Sequence, residues 1–265
     1  MSPHKKIEYA IFDMDGLMID SERVYTDVTN DILAPYGAEM TWEIKSGLMG
    51  KPERAAAAHL LSFFPNIPLT IDDYLSQRNA AQDTHWPHVQ LLPGVPRLVA
   101  HLAAHNVPLA IATGSTRRNF ALKTAHLQHV FGHFGANVVC GGDEGVGRSK
   151  PFPDVFLAAA RLLGRAVGSG DVDGEEGGDG VGEAEREERG RGLVFEDAIP
   201  GVVAGKRAGM SVVWVPDENL LGVGSSQLTE KPDQVLRSLE AFVPEEWGLP
   251  PFDDVPVSQQ SGKEE

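Results

Sequence analysis

The sequence predicts an α/β protein: a Rossmann-like doubly wound parallel sheet core with an inserted helical cap domain. Three observations carry that prediction. Short, near-continuous apolar runs recur along the chain, and runs of this kind mark strands buried on both faces, as in a parallel sheet. Helical patterns separate most of them, as parallel crossovers require. One long stretch, 21–91, holds helical patterns alone.

Taken in order, "IEYAIF" (Ile7–Phe12) is the first strand, and "DMDG" follows it directly. The helical block comes next. "SERVYTDVTNDILAPYG" stops at Gly37, "TWEIKSGLMG" opens on Thr41 as N-cap, and "KPERAAAAHLLSFF" carries Pro52 in its first turn. "TIDDYLSQRNAAQDTHW" pairs Thr70 and Asp73 at capping-box spacing. The alternating pattern then resumes. A helix from Pro93 sets Val95, Leu98, Val99 and Leu102 on one face, followed by the strand "VPLAIA" (Val107–Ala112). "NVVC" (Asn137–Cys140) is a third strand, and Asp154–Gly164 is a helix stopped by its glycine. "LVF" (Leu193–Phe195), a short helix ending near Gly209 and "SVVWV" (Ser211–Val215) complete the core. The expected core is 1–20 plus 92–257, and the expected cap is 21–91.

Ala166–Arg191 departs from this pattern: its 26 residues hold eight glycines, nine acids and three arginines. So little apolar surface cannot offset chain entropy, which predicts a disordered acidic insertion. The tail 258–265 reads as flexible.

Composition excludes several roles. A net charge of −15 over 265 residues argues against a nucleic acid polymer as partner. No stretch nears the roughly 20 apolar residues of a membrane span, and no apolar signal region follows "MSPHKK". The single cysteine, Cys140, forms no internal disulfide and suits a reducing, cytoplasmic setting. His101 and His105, and likewise His129 and His133, stand four apart on predicted helices. No third ligand accompanies either pair, so all four read as structural histidines.

The strand ends carry the chemistry. The first strand ends in Asp13 and Asp15, the second in Thr113-Gly114-Ser115, the third leads to Lys150, and the fourth ends in Glu196-Asp197. Carboxyl ends of strands in a doubly wound sheet share one edge, where ligands bind. Clustered acids repel unless a cation neutralises them. Mg²⁺ fits such oxygen donors, with Asp13 and Asp197 as ligands and an Asp15 oxygen as a third. Asp13 can then attack phosphorus as a nucleophile. Asp15 can pass a proton to the leaving alcohol and take one from water. Thr113 and the Gly114 N–H can hold phosphate oxygens, and Lys150 can offset the charge gathered on Asp13.

"DMDG", "ATGS", "KPFPD" and "FEDAIPGVVAGKRAGM" resemble, in order and spacing, the four motifs of the haloacid dehalogenase superfamily. The paired aspartates are its phosphatase form. Within it, "IFDMDGLMIDSERVY", "KSGLMGK", "VVWVPDENL" and "LEAFVPEEWGLPPF" are most similar to the branch that includes the pseudouridine-5′-phosphatases. The resemblance implies a helical cap, Mg²⁺ and hydrolysis of a small phosphorylated metabolite, a nucleotide or a sugar phosphate; a sugar- or polyol-phosphate phosphatase, a phosphomutase like β-phosphoglucomutase and a non-catalytic binding protein on the same fold stand as alternatives. It matches Asp13 to the nucleophile, Asp15 to the acid/base and Thr113 to the phosphate-binding hydroxyl. Lys150 matches the third-motif lysine and Asp197 a metal ligand; Glu196 matches an acidic position of variable role. Lys51 and Arg54 fall in a loop that resembles the substrate-facing loop of relatives, and both a surface and a substrate role stand open for them. No membrane or protein partner is expected.

Overall fold

A computed structural model describes residues 6–48, 53–170, 181–223 and 229–253. The chain opens with β1 (Tyr9–Phe12), then runs through α1 (Ser21–Leu33), α2 (Trp42–Ser46), α3 (Glu53–Ser62) and α4 (Ile71–His85). The alternating part follows: α5 (Val95–Ala104), β2 (Leu109–Ala112), α6 (Arg117–Thr124), α7 (Gln128–Phe131) and β3 (Val138–Val139). It continues with α8 (Asp154–Leu162), α9 (Glu183–Arg189), β4 (Gly192–Glu196), α10 (Ile199–Arg207), β5 (Ser211–Trp214), α11 (Glu218–Val223) and β6 (Gln234–Val235).

All strand pairs are parallel, in the order β3-β2-β1-β4-β5-β6. Chain order reverses between β1 and β4, which makes their carboxyl ends the place for a ligand crevice. Every residue of β1, β2 and β4 is buried, as continuous apolar strands require when both faces are covered. Ala10 and Phe12 face a core shared with α5 and the helical block, whereas Tyr9 and Ile11 face the layer of α8 and α10. Phe12 stacks on Phe195 with centroids 4.6 Å apart, and Phe195 meets Phe242 edge-on at 5.0 Å.

The local signals have visible causes. Thr70 accepts from the Asp73 amide at 3.1 Å while its hydroxyl donates to the Asp73 carboxylate at 2.6 Å. Thr41 takes N-cap geometry without a side-chain bond. The third helix of the block is described from Glu53, and Pro52 lies outside the described residues, as does the tail.

Ala166–Arg191 is not wholly loop: 183–189 forms α9. Glu, Ala and Arg are strong helix formers, and the arginines anchor the segment. Buried Arg189 donates to the Val167 carbonyl at 2.6 Å and to that of Gly170 at 3.0 Å. Arg165 pairs with Glu8 at 3.0 Å and Glu188 at 3.1 Å. Averaged composition concealed this charge pairing. The acidic centre, 171–180, lies outside the described residues. β6 carries no apolar run and was not foreseen; it extends the sheet by pairing with Val213 and Trp214.

Replacing Phe195, fully buried between two rings, by alanine is expected to cost about 3–5 kcal/mol of stability. Urea unfolding reads this as a lower midpoint, and a loss below about 1 kcal/mol would show that the ring cluster is not a centre of the core.

Candidate active site

The four strand ends converge. Asp13 leaves β1 with its amide bonded to the Phe195 carbonyl at 3.0 Å, so the β1–β4 ladder itself brings it beside Glu196 and Asp197. Carboxylate oxygens of Asp13, Glu196 and Asp197 all lie within 4.8 Å of one another, and all three residues are buried. Gly16 makes this closeness possible. Its φ is +80°, and a Cβ there would collide with the Asp197 carboxylate. The glycine therefore supplies both the left-handed turn and the space. Gly201, within α10, supplies space alone: the Glu196 carboxylate occupies the volume a Cβ would need.

Lys150 threads this cluster. Its Nζ donates to Asp13 Oδ1, to Glu196 Oε1 at 2.6 Å and to the Ala112 carbonyl at 3.2 Å. Burial disfavours its charge, but Asp13 and Glu196 prevail and its pKa lies above the usual lysine range. Glu196 Oε2 accepts from the Ala198 amide at 2.8 Å, so both oxygens of Glu196 already hold a donor. Asp197 is different. Among the described residues, no hydrogen bond or ion pair reaches its carboxylate. Burial, then Glu196, Asp13 and Glu22, push its pKa well above the ordinary carboxylate value against the pull of Lys150. Asp13 is pushed up to about 7, by burial first and by Glu196 and Asp15 against the pull of Lys150. Buried, charge-poor oxygen donors of this kind fit a hard divalent cation.

The Asp15 carboxylate does not join that group, so an Asp15 oxygen serving as the third ligand would not be one of its carboxylate oxygens. Its carboxylate turns to Lys123 at 2.5 Å, Ser115 Oγ at 2.7 Å and Thr113 Oγ1 at 3.3 Å. Burial raises the Asp15 carboxyl, yet the Lys123 charge and the hydroxyl bonds outweigh it and leave the pKa below the usual range. Lys123 and Ser115 are the functional residues that sequence reasoning missed. Lys123 is fully buried on α6, its Nζ bonded also to Tyr25 Oη at 3.1 Å and 4.2 Å from the Trp86 ring centroid. In sequence, "LKT" looks like an ordinary helix surface; only its place opposite Asp15 gives it a task. Ser115 is not the N-cap of α6. Thr116 holds that post, accepting from Asn119 at 3.3 Å, which leaves the Ser115 hydroxyl to Asp15. A Cβ at Gly114 would meet nothing, so this loop is open to the space above the sheet.

That space is a cleft of about 1000 Å³ between the strand ends and the helical block. Asp13, Asp15, Thr113, Gly114, Lys150 and Asp197 line its floor. Besides Lys150, four cations among the described residues line the cleft, each already paired: Lys45 with Glu22 at 3.1 Å, Arg78 with Glu53, Arg118 with Asp83 at 2.7 Å, and Arg148 with Asp154 at 3.2 Å. Arg54 instead pairs with Asp72 on an exposed face; Lys51 lies outside the described residues.

Comparison with known proteins agrees with this geometry. The model of the haloacid dehalogenase-like hydrolase family matches residues 7–209. (DL)-glycerol-3-phosphatase 2 of Arabidopsis thaliana is 39% identical over 249 residues, covering 94% of either chain. A probable pseudouridine-5′-phosphatase of Drosophila melanogaster is 37% identical over 250 residues, covering 94% of this chain and 97% of its own. A phosphate-bound hydrolase of Deinococcus radiodurans shares the fold, with a TM-score of 0.69 over 95% of this chain and 100% of its own at 24% identity.

Two predictions follow from the charges. Lys123→Met strands the Asp15 charge and is expected to cost about 3–5 kcal/mol; adding Asp15→Asn should recover part of that loss, and simple additivity would contradict the pairing. Asp13 has a folded pKa above its unfolded value, so its contribution to stability is complete below about pH 4 and is lost as pH rises through about 7. In chelator, Asp13→Asn should therefore gain stability relative to wild type between pH 4 and 7. A flat difference in melting temperature would show that Asp13 does not titrate in that range.

Proposed function

The chain belongs to the haloacid dehalogenase-like hydrolases, and on that premise we propose that it is a Mg²⁺-dependent phosphatase acting on small phosphomonoesters through an aspartyl-phosphate on Asp13. The observation that carries this reading is the buried group Asp13, Glu196 and Asp197, with Lys150 bridging the first two and Asp197 without a cation of its own.

Asp13 and Asp197 are the residues that would hold Mg²⁺, with Glu196 behind them. When bound, the ion supplies charge neutralisation for the acids and for the phosphoryl oxygens. The steps belong to the chain. Thr113, the Gly114 N–H and Lys150 orient the phosphoryl group over Asp13. A carboxylate oxygen of Asp13 forms a bond to phosphorus as the ester P–O bond breaks, and the leaving oxygen takes its proton from Asp15. Water then attacks phosphorus, the Asp13–phosphorus bond breaks, and Asp15 receives the proton that water sheds. The proton gained in one half of the cycle is the one given in the other. In the empty site Lys123 holds Asp15 ionised, so the proton that Asp15 passes to the leaving oxygen is taken up when the ester binds. The helical block, residues 21–91, serves as a cap that excludes bulk water while the acyl-phosphate exists.

The walls of the cleft bear on the substrate class. Lys45, Arg78, Arg118 and Arg148 are each paired with an acid, so among the described residues the walls offer hydrogen bonds without surplus positive charge. That favours a neutral, hydroxyl-rich leaving group over a second phosphate, and hydrolysis over a phosphomutase cycle. Pseudouridine 5′-phosphate is the substrate we favour. Glycerol 3-phosphate is the alternative, on the 39% identity to the Arabidopsis relative. The buried, unpaired Cys140 is consistent with a cytoplasmic setting, and no helix among the described residues is long and apolar enough to cross a membrane.

Phosphate release with Mg²⁺ from pseudouridine 5′-phosphate, uridine 5′-monophosphate, glycerol 3-phosphate and hexose bisphosphates tests the reading. Turnover should favour monoesters of uncharged alcohols. Asp15→Asn should lose roughly 10²–10⁴-fold in kcat, and Asp13→Asn should show none. Preference for a bisphosphate, or turnover by Asp13→Asn, would contradict it.

A further inference from the structure

The structure provides what the sequence withheld from one histidine pair. His101 and His105, four apart on α5, meet Asp253 from the C-terminal segment. His105 Nε2 lies 3.3 Å from Asp253 Oδ1, and His101 Nδ1 lies 3.9 Å from Asp253 Oδ2. The two rings are 4.5 Å apart between centroids. We propose that His101, His105 and Asp253 form a second metal site, for a Zn²⁺-class cation, separate from the catalytic acids.

The tautomer of His101 carries the argument. Its Nε2 lies 2.9 Å from the Pro250 carbonyl oxygen. A carbonyl only accepts, so Nε2 is the donor and the neutral ring keeps its lone pair on Nδ1. That lone pair faces a carboxylate. Two acceptors facing each other repel unless a cation stands between them. A backbone carbonyl fixing one ring nitrogen while the other faces the ligand position is also the usual outer support of a metal-bound histidine. Imidazole and carboxylate donors together suit Zn²⁺.

The dimensions suit it as well. Tetrahedral Zn²⁺ with bonds of about 2.0–2.1 Å sets its ligand atoms roughly 3.4 Å apart. The observed 3.3 and 3.9 Å from Asp253 lie close to that spacing, all three ligand atoms fall within 4.8 Å of one another, and the Asp253 side chain is 77% exposed and can turn toward the ion. Water would complete the shell on the open side. The ion would fasten the C-terminal segment to α5, where Phe252 already packs 4.6 Å from His101 and lies beneath Arg97 at 3.8 Å.

The test uses the full chain in saturating Mg²⁺, which keeps the catalytic acids occupied. Calorimetric titration with Zn²⁺ should show one equivalent bound, and Co²⁺ substituted for it should give the intense visible absorption of a tetrahedral site. His105→Ala and Asp253→Ala should each weaken binding at least about tenfold while leaving Mg²⁺-supported phosphate release unchanged. Both side chains sit at the surface, so the fold survives their loss. No saturable binding would mean that the pair is a protonated histidine and its counter-ion, and would overturn the proposal. Binding that persists in both variants would put the ion elsewhere and overturn it equally.

Discussion

Four buried or nearly buried carboxylates share the carboxyl edge of one sheet, and two buried ammonium groups decide how they divide. Lys150 takes Asp13 and Glu196; Lys123 takes Asp15. Among the described residues, no cation pairs with Asp197, which is why we propose a metal ion there. Without the lysines, the repulsion and desolvation of four acids would oppose the fold itself. With them, two aspartates one residue apart acquire opposite tendencies: Asp13 rises toward neutrality and Asp15 is held ionised. These tendencies belong to the empty site; a cation at Asp13 and Asp197 would favour ionised Asp13, as the proposed nucleophile requires, and an incoming phosphoryl group would favour protonated Asp15, as the proposed acid requires.

The scaffold serves this division. The β1–β4 register sets Asp13 beside Glu196 through backbone bonds that no side-chain change disturbs. Gly16 and Gly201 remove the atoms that would hold the acids apart. Lys123 also ties the core to the helical block, since Tyr25 and Trp86 surround the same ammonium that holds Asp15. The same ammonium thus links the block to Asp15, the residue proposed as acid/base.

Much of this was legible in the sequence, because parallel strands buried on both faces leave unbroken apolar runs and polar residues just past them stand out. Asp13, Asp15, Thr113 and Asp197 stand out that way, whereas Lys150 lies ten residues past the third apolar run, in "SKPFPD". What escaped was set by tertiary partners. Lys123 sits on a helix whose apolar pattern is weak, and its burial depends on Asp15, 108 positions away. Glu196 was read as secondary because its two bonds come from a lysine and a turn amide that only the fold brings near. α9 hid within an acidic composition because its anchors are arginines bonded to carbonyls, a pattern without periodicity.

The central claim is that Asp13 becomes covalently phosphorylated. The most direct measurement is a rapid acid quench of enzyme, Mg²⁺ and ³²P-labelled pseudouridine 5′-phosphate, followed by peptide mapping. The account predicts a transient label, stable to acid and released by hydroxylamine, on the peptide that contains Asp13. Rapid phosphate release with no label on that peptide at any quench time would contradict it and favour direct attack by water.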